Sequence, residues 1–172
     1  MGSARSEPIH VLWFKAGIAP LVLLAIVYAG CRLLFQQFVI LKTGFIYPSG
    51  WLVSLFYGTG NYAHPDWVYH LDHTRFVLGE TCSGTTFFSL LLAYTALRIH
   101  THRIRWYWLL LAFPLALLAN SMRVLSAISA ERLLSQMGMV GIGDAVHVVV
   151  GAMTFLCAFI GIAYCMERSV EQ

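Results

Sequence analysis

AVHVVVGAMTFLCAFIGIAYC, residues 145–165, contains no Asp, Glu, Lys or Arg and a single histidine, His147, near its start. As a helix it rises ~1.5 Å per residue and so covers about 31 Å, the thickness of a bilayer's hydrocarbon core. Three further apolar runs stand before it, over 16–34, 83–99 and 106–122, the last continuing as a helix through Arg123 toward Leu134. The whole chain has 172 residues, 59% of them hydrophobic and only 11% charged. Its mean hydropathy is +0.71. So few charges cannot cover a soluble globule of this size, and the expected setting is a membrane.

Between the first and second runs the pattern changes. Lys42, Gly44, Pro48 and Gly50 interrupt the stretch from Gln36 to Gly60 and leave 51–57 too short to cross. We read it as an interfacial amphipathic helix, with Trp51 and Tyr57 at headgroup level. Asn61 to Glu80 is the most polar part of the chain. Trp67, Tyr69 and Leu71 alternate there with His70 and Asp72, which predicts a short β-hairpin outside the hydrocarbon. The expected fold is therefore an all-α polytopic membrane protein of one integral membrane domain over 1–172. It has about four transmembrane helices (16–34, 83–99, 106–126, 145–165) and an interfacial and capping region over 36–81 that carries the amphipathic helix and a short extracytoplasmic β-hairpin loop.

The basic turn Arg98, His100, His102, Arg103 and Arg105 is cytoplasmic by the positive-inside rule, as are Arg5 and Lys15 before the first run. That places the capping region outside, with the protein multi-pass in the cell's inner (cytoplasmic) membrane. The net charge of +3 is spread along the chain, with neither a nucleic-acid-binding stripe nor a polybasic lipid patch, so no nucleic-acid partner is expected. Cys31, Cys82, Cys157 and Cys165 form no CxxC pair, which argues against a disulfide scaffold or a zinc ribbon. Tyr28-Ala29-Gly30-Cys31 is similar to a lipoprotein cleavage box, although a small apolar packing role suits Cys31 better.

Polar groups at membrane depth are costly and mark functional candidates. Three such places stand out. Cys82, in Gly79-Glu80-Thr81-Cys82-Ser83-Gly84-Thr85, lies where the loop turns into the second run, facing helix N–H groups that favour a thiolate or an oxyanion. Asn120 and Arg123, spaced i, i+3 near the outer end of the third run, share one helix face, and so do Asp144 and His147 at the entry to the fourth. Each has a plain alternative: a small residue at a helix start, an arginine snorkelling to lipid phosphate, a satisfied structural histidine. The alternation of spans nevertheless brings all three to the same side of the membrane. A cysteine, a histidine and an arginine are then a nucleophile, its base and a cation for a developing oxyanion.

With Glu80-Thr81-Cys82-Ser83-Gly84 followed by Phe87-Phe88, Asn120-Ser121-Met122-Arg123-Val124, and a histidine opening the last span, the sequence resembles the exosortase/archaeosortase family of membrane cysteine transpeptidases. Its short length and the 47–60 stretch look closest to the small K-type exosortases. The resemblance covers about residues 16–165 and lies in the combined order and spacing of Cys, Arg and His. It implies that Cys82 forms an acyl-thioester, that Arg123 donates a proton or binds the oxyanion, and that His147 is the base or a transition-state stabiliser. The implied substrates are exported proteins ending in a short motif such as Pro-Glu-Pro, a transmembrane helix and a basic tail. Ser83, Gly84, Asn120, Asp144 and Glu80 are the expected supporting residues, with no cofactor and no metal. An alternative reading is a non-catalytic four-span binding or assembly protein, metal- or haem-linked through His64, His70 and His73 of the outer loop.

Overall fold

Phe38 alone separates the first two helices, α1 (Ile9–Gln37) and α2 (Val39–Tyr57). Its backbone is extended, at φ −108° and ψ 96°. Its N–H still donates to the Leu34 carbonyl and its carbonyl accepts from the Leu41 N–H, both at 3.0 Å, so the chain bends without orphaning a backbone group. The computed structural model describes residues 9–58, 61–63, 66–71, 74–79, 82–101, 104–138 and 143–169, without the side chains of 9–19, 61–63, 70, 71, 74–76, 135, 143 and 144. A three-stranded antiparallel sheet follows α2 in the order β1 (Asn61–Ala63), β2 (Asp66–Leu71), β3 (Thr74–Leu78), with Tyr62 opposite Trp67 and Trp67 opposite Leu78. Three helices complete the chain: α3 (Thr85–His100), α4 (Tyr107–Gln136) and α5 (Gly143–Arg168).

The end of α1 meets the start of α3, with the Phe35 and Phe88 rings edge-on at 5.9 Å. Helix α3 is parallel to α5. Phe87 stacks on Phe155 at 4.6 Å, Tyr94 meets Phe159 at 5.3 Å, and at the far end Arg98 pairs with Glu167, which also accepts the Tyr94 hydroxyl. Helix α4 runs back between them, burying Ala112, Ala116 and Ala119 one turn apart, small residues that allow close helix approach in a membrane. Helix α2 lies along α4 between Phe113 and Ser129 in the same direction. Phe45 meets Phe113 at 5.0 Å, and twelve residues on, the Tyr57 hydroxyl is 2.7 Å from Ser129 Oγ.

Four helical stretches are long and apolar enough to cross a membrane: Pro20–Gln37, Val39–Tyr57, Tyr107–Leu134 and Ala145–Arg168. The surface they present is itself apolar, with Leu21, Ile26, Ile40, Leu110, Val148 and Ile160 all more than half exposed. The protein is a multi-pass membrane protein.

The composition of this set differs from the sequence reading in two places. The stretch from Gln36 onward, expected to break at Lys42, Gly44, Pro48 and Gly50, is a continuous 19-residue helix that carries Pro48 inside it. Local breakers lose because Phe45, Ile46, Ser49, Gly50 and Val53 are buried against the rest of the fold. Its other face is not polar, as an interfacial amphipathic helix requires: Ile40, Tyr47, Trp51, Leu55 and Phe56 are exposed there. Helix α3, expected as a span over 83–99, has 16 residues. At ~1.5 Å each that is about 24 Å, short of a full crossing. The hairpin expected over 61–80 gains a third strand.

Candidate active site

The site is built where β3 hands over to α3. The Cys82 N–H donates to the Gly79 carbonyl at 3.0 Å, forming a tight turn, and the chain then passes through Gly84 in the left-handed region, at φ +74°. Glycine is required here twice over. An L side chain resists this φ, and a Cβ would fall 2.6 Å from Asn120 Cγ. Helix α3 starts at Thr85 with Gly84 at its N-cap, a residue with no side chain to cap the first turn. Ser83 Oγ and Thr85 Oγ1 are 3.1 Å apart beside it.

Cys82 is only 5% exposed, packed with Ile46 and Val53 of α2, Trp67 and Tyr69 of β2, Leu78 of β3, and Val124 and Ile128 of α4. The sheet is thus a roof over the thiol. It is held down on α2 at Gly50, where the Trp67 ring sits so close that a Cβ would come within 2.5 Å of it, and where the Tyr69 hydroxyl donates to the Gly50 carbonyl. Burial pushes the Tyr69 phenol above its ordinary value of about 10, against a smaller opposing effect of its hydrogen bond with Ser54.

Three polar side chains come in under the roof. Asn120 is fully buried, and its Nδ2 donates to the Cys82 carbonyl at 3.0 Å and to Ser49 Oγ at 3.1 Å. His147 places Nε2 3.5 Å from Cys82 Sγ, across 65 residues of sequence. Arg123, one turn beyond Asn120 on α4, lies across α5 at Gly151, where a Cβ would stand 2.7 Å from its Nε, and its guanidinium carbon is 5.0 Å from the centre of the Phe155 ring. His147, Gly151 and Phe155 form an i, i+4, i+8 stripe, so one face of α5 carries the imidazole, a gap for the arginine and an aromatic floor beneath it. Two buried atoms of this cluster have no hydrogen-bond partner among the described residues: Asn120 Oδ1 and Arg123 Nη1. Buried polar atoms are rarely left so, and here an unused acceptor and an unused cationic donor stand on one helix face beside a thiol.

The expected residues Cys82, Ser83, Gly84, Asn120, Arg123 and His147 thus gather at the junction of α3, α4 and α5. Glu80 lies outside the described residues. Asp144 falls in the first turn of α5, its side chain outside the description. His64 and His73 also lie outside it and His70 is within β2; among the described residues no three His, Cys, Asp or Glu side chains form a metal-binding group. Cys157 and Cys165 are exposed on α5, and Cys31 is half-buried on α1. Sequence reasoning missed Ser49, which holds Asn120, and Trp67, which seals the roof. No local signal marks either. Gly151 and Phe155 were within reach, because their spacing from His147 is helical. Comparison with known proteins finds no matching family model, curated protein or solved structure.

Proposed function

We propose that this protein is a membrane cysteine transpeptidase or protease of the exosortase kind, cutting the C-terminal sorting signals of exported proteins in a cell's inner membrane from the extracytoplasmic side. The observation that carries the reading is the part-buried thiol–imidazole pair, Cys82 Sγ to His147 Nε2 at 3.5 Å, with a cation on the adjoining turn. A histidine ring nitrogen within reach of a thiol is the arrangement that nucleophilic acyl transfer needs, and a looser distance than in the reacting complex is usual without substrate.

In this reading the Cys82 proton moves to His147 Nε2 and the sulfur attacks the scissile carbonyl carbon. Arg123 and the opening N–H groups of α3 receive the oxyanion. The carbon–nitrogen bond then breaks, His147 returns the proton to the leaving amine, and an acyl-thioester stays on Cys82. Water, an amine or a lipid headgroup attacks that carbon and gives its proton to His147, the carbon–sulfur bond breaks, and His147 returns the proton to the Cys82 sulfur. Asn120 is a positioning residue, since its amide fixes the Cys82 carbonyl and hence the direction of the thiol.

The test is co-expression with a reporter ending in a short motif, one hydrophobic span and a basic tail. Cys82→Ala is expected to abolish cleavage and His147→Ala to lower it by about 10²-fold or more. Cys157→Ala and Cys165→Ala should cleave as the parent does. Loss of cleavage in Cys157→Ala to the same degree as in Cys82→Ala would refute the assignment.

A further inference from the structure

Where the α1–α2 bend passes the start of α3, there is a polar opening in this apolar protein. It is a cleft of about 380 Å³ whose polar lining is Arg32 and Gln36 of α1, Lys42 of α2, and Ser83, Thr85 and Thr86 at the start of α3. Arg32, three hydroxyls and an amide therefore line one space together with Lys42, which also has a partner of its own. Arg32 Nη1 donates to Thr86 Oγ1 at 3.0 Å, which ties the guanidinium to α3 with one of its five N–H groups and sets the plane of the rest.

The helices that carry these residues are otherwise apolar outside: Leu33 and Leu34 on α1, Phe38 at the bend and Ile40 on α2 are each more than half exposed. A basic pocket cut into a helical surface that otherwise faces lipid matches an amphiphile with an anionic head and apolar tails. A tetrahedral phosphate offers acceptors in several directions at once, as donors converging from three helices require, whereas a carboxylate offers two in one plane. An arginine that merely snorkels from a helix end needs neither a cavity nor a hydroxyl to hold its fork.

We propose that this cleft binds the phosphodiester of a glycerophospholipid headgroup, with the acyl chains lying along α1 and α2 on either side of Phe38. Arg32 is the principal ligand, Thr86 fixes its orientation, and Lys42 and the hydroxyls of Ser83 and Thr85 complete the shell. The assignment stands apart from the transpeptidase reading, because nothing in it requires Cys82 to be a nucleophile. It does place a lipid head one residue away from Cys82, through Ser83.

Native mass spectrometry of the full chain in detergent tests this, with phosphatidylglycerol, a diacylglycerol of the same chains, and inorganic phosphate as probes. The parent and Cys82→Ala are both expected to retain phosphatidylglycerol and to release the diacylglycerol. Arg32→Ala should lower retention about tenfold or more, as loss of a charge-assisted contact to phosphate does. Thr86→Val, an exposed and nearly isosteric change, should lower it to a smaller extent and remains informative if Arg32→Ala fails to fold. Arg105→Ala, a cation outside the cleft, should retain lipid like the parent. Displacement of the lipid by inorganic phosphate supports the assignment, and phosphate bound where phosphatidylglycerol is not would overturn the lipid as its source. Equal retention of the diacylglycerol, parent-like retention in both Arg32→Ala and Thr86→Val, or an equal loss in Arg105→Ala would each overturn the proposal.

Discussion

Gly84 and Gly138 share a backbone angle, φ +74°, yet sit in opposite surroundings, and the pair offers a controlled test of how the site is held. An alanine at Gly138 would meet nothing within 4 Å among the described residues, so its cost there is the left-handed backbone, about 1–2 kcal/mol. At Gly84 the same backbone cost is joined by a Cβ placed 2.6 Å from Asn120 Cγ, 2.8 Å from Oδ1 and 2.9 Å from Cβ. Relieving such overpacking in a closed site costs about 1–3 kcal/mol more. Asn120 is fully buried and tied to both Ser49 and Cys82, so it cannot swing away without breaking those bonds. For a chain of this length each kcal/mol corresponds to roughly 2–4 °C of melting temperature. Gly84→Ala should therefore melt about 2–12 °C below Gly138→Ala, read by fluorescence-detected size exclusion after a heat step in one detergent. Reporter cleavage should fall in Gly84→Ala and persist in Gly138→Ala. Equal melting of the two variants would mean that Asn120 is not clamped against the turn, and would refute the positioning argument.

Gly151→Ala should leave the fold standing but push Arg123 off α5, lowering turnover with little change in the rate of Cys82 alkylation; alkylation lost in parallel would place Arg123's effect on the thiol itself. Gly50→Ala should lift Trp67 and open the roof, seen as faster modification of Cys82 by a water-soluble maleimide, and unchanged modification would show that the sheet does not cover it. Because the Tyr69 phenol is raised in the folded state, the unfolded chain releases its proton first as pH climbs past about 10, and stability should decline from there upward. Tyr69→Phe should flatten that alkaline decline in a melting series, and an unchanged slope would assign it to other groups.

The parts of this architecture that were legible in the sequence are those set by composition over a long window. The run 145–165 could be nothing but a buried or spanning helix, and the alternation of spans carried Cys82 and His147 to one end, where they lie 3.5 Å apart. Helix α2 was illegible because its glycines, proline and lysine are local signals, while the burial of Phe45, Ile46 and Val53 that overrides them depends on α4 and the sheet. The bond from Asn120 to Ser49 spans 71 residues, and no periodicity reports such a pair. Gly151 was readable in principle, as a glycine one turn after a candidate base marks a place where another side chain passes close.

The distance along the chain between the thiol and its imidazole has a consequence for biosynthesis. Cys82 precedes α3 and His147 belongs to α5, made 65 residues later. At ~5–20 residues per second the cysteine waits roughly 3–13 s before its histidine has even been polymerised. Until α5 docks, the thiol has neither that partner nor the floor on which Arg123 rests. On the transpeptidase reading a nascent chain cannot cleave, however far its earlier helices have inserted. Integration of α5 is then the step that completes the site, and a truncation anywhere before residue 147 is expected to leave the reporter uncut.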